Sequence, residues 1–89
     1  MNVRVIILVS SPPSPQNVDS LKAAALELTN AKSSIKVTTQ KKGDDHALMT
    51  DFTMRTTAQY KVVDDIAKTF KFQMWDFEGY QDMTIQFPK

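Results

Sequence analysis

Ile35-Lys36-Val37-Thr38-Thr39-Gln40-Lys41-Lys42-Gly43-Asp44-Asp45-His46-Ala47-Leu48-Met49-Thr50-Asp51-Phe52-Thr53-Met54 is the stretch that decides the fold. From Ser34 the pattern has a period of two. Ile35, Val37 and Thr39 alternate with Lys36, Thr38 and Gln40, as in a strand with one buried face. Lys42-Gly43-Asp44-Asp45 is turn chemistry, because Gly takes positive φ at no steric cost. Beyond it Leu48, Thr50, Phe52 and Met54 alternate with Met49, Asp51, Thr53 and Arg55. Two half-buried strands around one turn signal read as a β-hairpin.

Working outward toward the start, residues 2–9 (Asn-Val-Arg-Val-Ile-Ile-Leu-Val) are a β-branched run closed by Ser10-Ser11-Pro12-Pro13. A strand apolar at nearly every position is usually central, with both faces covered. Ser14-Pro15 then opens a helix: Ser caps the free N–H groups and Pro fits the first helical position. Val18, Leu21, Ala25 and Leu28 follow at helical spacing, and the helix is expected to fade near Asn30-Ala31.

On the other side of the hairpin, Thr56-x-x-Gln59 reads as a capping box that starts a second helix. Val62, Val63, Ile66 and Phe70 supply its apolar face. A fourth strand is expected from Asp82 to Phe87, where Met83, Ile85 and Phe87 alternate with Thr84 and Gln86. Residues 71–79 fit a helix tail, a loop or a short fifth strand. The order β-α-β-β-α-β, with right-handed crossovers, predicts a ferredoxin-like α+β sandwich over one domain, 1–89. Two helices would cover one face of a four-stranded antiparallel sheet, with the first and third strands in its centre.

Composition narrows the chemistry. A chain of 89 residues hides roughly 60–65% of its unfolded surface, enough for a modest core. There is no Cys, hence no disulfide, thiolate metal site or Cys nucleophile. The apolar run Val5–Val9 is too short to span a membrane, so no membrane partner is expected and the cytoplasm is the expected compartment. Net charge is +1, too small for a global pull toward nucleic acid. It is unevenly spread: residues 1–43 carry six bases and two acids, residues 44–89 five bases and eight acids.

All eight aromatic residues lie beyond position 51. RNA-recognition modules of this topology stack bases on aromatics of the central strands. Here the first strand has none, and the alternation turns Phe52 inward. Acylphosphatase-type enzymes of this topology cradle phosphate in a loop after the first strand. The loop Ser10–Pro15 has no Gly and no Arg, and three prolines remove three donors. Asp44-Asp45-His46 is the one cluster with metal-ligand residue types, but three consecutive residues at a hairpin tip do not readily converge on one ion. His46 is the only His, and nothing marks an activated Ser beside it. No catalytic, cofactor or metal site is therefore expected.

What remains is surface. If Val3, Val5, Ile7 and Val9 face the helices, then Arg4, Ile6 and Leu8 face outward. They would meet Met49, Asp51 and Thr53, and Ile6, Leu8 and Met49 would form an apolar centre with a polar rim, a pattern that marks contact surfaces. Trp75 and Tyr80 join the candidate set, since Trp and Tyr are enriched at interface hot spots. The expected function is a small non-enzymatic protein-interaction or regulatory module, with a protein partner or a homodimer as its target. The alternative is nucleic-acid binding through Lys32, Lys36, Lys41 and Lys42, although lysines on an edge strand also guard against aggregation. A small hydrolase is the third reading.

Overall fold

The computed structural model describes residues 1–29, 34–54 and 59–88. The elements are β1 (Asn2–Val9), α1 (Pro15–Thr29), β2 (Lys36–Lys42), β3 (Asp45–Thr53), α2 (Gln59–Gln73) and β4 (Tyr80–Gln86). They form one four-stranded antiparallel sheet in the order β2-β3-β1-β4 with two helices, the ferredoxin-like α+β arrangement. β1 and β3 are central, as the apolar run of β1 requires.

The register fixes the two faces. Val5 lies opposite Thr50 and Ile85, and Ile7 opposite Leu48 and Met83. These positions point to the helices, and Val3, Val5, Ile7, Leu48 and Phe52 are buried with Leu21, Ala24, Ala25, Ile66 and Phe70 in a single core. Phe52 and Phe70 stack with ring centroids 5.9 Å apart and tie β3 to α2. Thr50 is fully buried among these side chains, and its Oγ1 has no hydrogen-bond partner.

The start of α1 follows the sequence closely. The Asn17 N–H donates to Ser14 Oγ at 3.2 Å, and the Ser14 N–H donates to Asn17 Oδ1 at 2.9 Å. This is a reciprocal cap with Asn in the place where Glu or Gln is usual. Pro15 takes the first helical position, where no donor is needed. At the far end, the Thr29 hydroxyl donates to the carbonyl of Thr53 and fastens α1 to the end of β3.

The hairpin turn falls at Lys42–Asp45 as expected: Lys42 and Asp45 pair across the ladder, and Gly43 (φ 63°) and Asp44 are its two central residues. Two-residue loops that match the twist of the flanking strands need positive φ. Three local expectations change. β2 starts at Lys36 rather than at Ser34, because the ladder begins where Lys36 meets Asp51. β4 runs from Tyr80 to Gln86 rather than from Asp82 to Phe87. Its register shifts between Leu8 and Val9, which lets Tyr80 pair with Val9 ahead of the regular alternation. Val63 is 36% exposed, because Val62, Ile66 and Phe70 make a stripe that leaves it one step aside.

Residues 71–79 are a helix tail and a loop, with no fifth strand among the described residues. The expected end of the first helix near Asn30-Ala31, the capping box opened by Thr56, and Arg55 lie outside the described residues. No helix among the described residues is long and apolar enough to cross a membrane.

Candidate functional site

Among the described residues, the end of α2 and its connection to β4 carry the most exposed aromatic side chains. The core stripe of α2 continues past its end. Phe70, Met74 and Phe77 sit at i, i+4 and i+7, and all three are buried. The intervening residues are thereby turned out. Phe72 is 76% exposed and Trp75 is 84% exposed. Two hydrogen bonds keep the chain wound here: the Met74 N–H donates to the Lys71 carbonyl at 3.2 Å, and the Phe77 N–H donates to the Met74 carbonyl at 3.0 Å.

Gly79 then locks the loop to the end of β1. Its carbonyl accepts the Ser10 N–H at 2.8 Å and the Ser10 hydroxyl at 3.4 Å. Its φ is 71°, and a Cβ there would lie 2.3 Å from Ser10 Oγ and 3.0 Å from the backbone nitrogens of Ser10 and Ser11. Only Gly fits both the conformation and the space. The next residue, Tyr80, starts β4 and is 43% exposed. Lys71, Met74, Trp75, Phe77 and Tyr80 line an open groove of about 200 Å³. Its lining is one methionine, three aromatic rings and one lysine.

The sequence candidates separate into two groups. Trp75 and Tyr80 meet at this groove, on the side of α2. Ile6, Leu8 and Met49 lie on the helix-free face, with Ile6 directly opposite Met49 and Leu8 opposite Ala47. All three are half-buried. The Arg4 guanidinium crosses the same face to Asp51, with Nε donating at 2.7 Å and the terminal nitrogen at 3.3 Å. The Asp51 hydrogen bond, and then its charge, hold the Arg4 pKa above its ordinary value. Thr38, Thr84 and Gln86 complete a polar surround.

Of the lysines of the alternative reading, Lys36, Lys41 and Lys42 lie along β2 but are divided between its two faces. Lys36 and Lys42 pair opposite Asp51 and Asp45 on the helix-free face, and Lys41 points to the other face opposite His46. Lys32 lies outside the described residues. Asp45 accepts a hydrogen bond from Gln81 Nε2 at 3.1 Å. Asp45 and His46 are successive strand residues on opposite faces, and no metal-binding group of acids and His exists among the described residues. The cleft beside the start of α1 is lined by Ser11, Ser14, Asn17, Asp76 and Glu78. Its two carboxylates oppose an anion at that helix terminus.

Lys71, Met74 and Phe77 were not singled out as site residues from the sequence. The signal that finds Met74 and Phe77 is the helical period of Phe70, carried four residues and then three more into the connection. A comparison with protein-family models, curated proteins and solved structures finds no match.

Proposed function

We propose that this chain is a small non-catalytic interaction module that docks a protein partner on the surface formed by Phe72, Trp75 and Tyr80. The observation that supports the reading is the exposure of Trp75, at 84%, beside an apolar groove. Leaving Phe72 and Trp75 in water has a free-energy cost that the core does not recover. Buried in a partner, each aromatic ring removes on the order of 150–250 Å² from solvent. The Lys71 ammonium in that lining favours a partner segment with an apolar side chain next to a carboxylate. The helix-free face with Ile6, Leu8 and Met49 offers less exposed apolar side chain per residue, since all three are half-buried.

The test is a photo-crosslinking amino acid placed at position 75, with position 22 on the outer face of α1 as control, in extract from the source cells. The expected result is one protein captured at position 75 and not at 22. That capture should be competed by unmodified protein but not by the Phe72→Ala variant. Equal labelling at both positions would overturn the reading.

A further inference from the structure

The two edges of the sheet carry opposite charge. β2 has Lys36, Lys41 and Lys42 and no acid, whereas residues 76–86 have Asp76, Glu78 and Asp82 and no base. The Arg4–Asp51 contact is the one ion pair among the described residues, so none of these six groups is in an ion pair with another described residue. Each edge also leaves apolar side chains half-exposed on the helix side: Ile35 and Val37 at β2, Met83 and Ile85 at β4. Unpaired edge strands present free N–H and C=O groups to any strand that matches them.

From these features we infer that the occupant of the β2 edge is the β4 edge of a second copy of this chain. The topology favours it. β2 is antiparallel to β3, β3 to β1, and β1 to β4, so β2 and β4 run antiparallel. A head-to-tail step along the sheet therefore continues an all-antiparallel ladder with every helix on the same side. The register agrees. Gln40, Ala47, Leu8 and Asp82 share one row across the sheet, and Lys36, Asp51, Arg4 and Gln86 share another. An in-register step sets Asp82 beside Gln40, with Lys42 as its diagonal neighbour within reach of a long side chain. Asp76 and Glu78, just ahead of β4, come to the same end as Lys41 and Lys42. On the helix side Val37 comes opposite Ile85, with Met83 as its diagonal neighbour.

Charge also selects against the alternatives. Two β2 edges would bring six lysines together, and two β4 edges would oppose acids, each a repulsive pairing. The contact is heterologous, so it propagates into short chains or closes into a ring rather than stopping at a two-fold dimer. Of the aromatic docking surface only Tyr80 belongs to an edge strand, and Phe72 and Trp75 lie on α2 and the loop after it, outside both edges.

Sedimentation velocity on the full chain tests it with two variants. One is Lys36→Glu/Lys41→Glu/Lys42→Glu, and the other is Asp76→Lys/Glu78→Lys/Asp82→Lys. The wild type is expected to self-associate as concentration rises, about tenfold more weakly when salt is raised from about 0.05 to about 0.5 M. Each variant alone should be monomeric, and their equimolar mixture should associate again. Trp75→Ala should not change the wild-type behaviour, so loss of the aromatic reading leaves this one standing, and the reverse. A wild type that stays monomeric at high micromolar concentration overturns the inference whatever the variants do. So does a pair of variants that associate alone as the wild type does, or a mixture that does not associate.

Discussion

Replacing Gly79 with Ala should be the most damaging single-methyl change in this chain. Two costs combine. An L-residue held at a φ of 71° is in the left-handed region, which costs about 1–2 kcal/mol. The new Cβ would also stand 2.3 Å from Ser10 Oγ and 3.0 Å from two backbone nitrogens. The hydroxyl can rotate away, but the nitrogens belong to Ser10 and Ser11, the two residues that follow β1. Moving them strains the Ser10 N–H bond to the Gly79 carbonyl, now 2.8 Å, so the total should reach about 3 kcal/mol.

Gly43 is the internal control. It has nearly the same φ, 63°, and nothing within 4 Å of its missing Cβ. Gly43→Ala should therefore show the conformational cost alone, about 1 kcal/mol. Urea unfolding followed by far-UV circular dichroism measures both. With a slope of about 1–1.5 kcal/mol/M, Gly79→Ala lowers the midpoint by about 2–3 M and Gly43→Ala by less than about 1 M. Adding Ser10→Ala to Gly79→Ala should recover only part of the loss, because the backbone contacts remain. If the two Gly→Ala variants lie within about 0.5 kcal/mol of each other, the packing argument at Gly79 is wrong.

Three further outcomes are expected in the same unfolding assay. Thr50→Val should be neutral or stabilise by up to about 1 kcal/mol, since it replaces a buried, unpartnered hydroxyl with a methyl of the same shape; a loss above that size would mean the hydroxyl has a partner. Ser14→Ala should cost about 1 kcal/mol by removing the cap on the Asn17 N–H, and an unchanged midpoint would rule out that cap as a stabilising contact. Phe70→Ala should cost about 3–5 kcal/mol while Trp75→Ala stays within about 0.5 kcal/mol; similar losses at the two positions would place Trp75 in the core.

Much of the fold can be read from a few residues. The apolar run of β1 demanded a central strand, and the alternation on both sides of Gly43 set the hairpin and the faces of its strands. Ser14-Pro15 marked the helix start that the reciprocal cap with Asn17 completes. Strand ends were less legible, because a ladder extends as far as its partner allows rather than as far as the pattern repeats. Tyr80 joins β4 because Gly79 is held against Ser10, a contact between residues 69 apart in sequence.

The aromatics Phe72, Trp75, Phe77 and Tyr80 are the residues the sequence leaves unsorted between core and surface. Residue type could not sort them, since aromatic rings serve equally in cores and at interfaces. Their sorting depends on whether the backbone keeps a helical pitch beyond Gln73. It does so long enough to bury Met74 and Phe77, and that same pitch turns Phe72 and Trp75 outward. The separation of Tyr80 from Ile6, Leu8 and Met49 depends on the strand register at the start of β4, which a shift of one residue would reverse.

Trp75 is the only Trp in the chain, so its fluorescence reports on this surface without ambiguity. The most direct measurement is iodide quenching of that emission in the isolated protein and again in the complex captured at position 75. An indole that is quenched freely when the protein is alone and shielded once the partner is bound is the predicted result. An indole already shielded in the isolated, monomeric protein would contradict the account, because Trp75 would then belong to the core rather than to a docking surface.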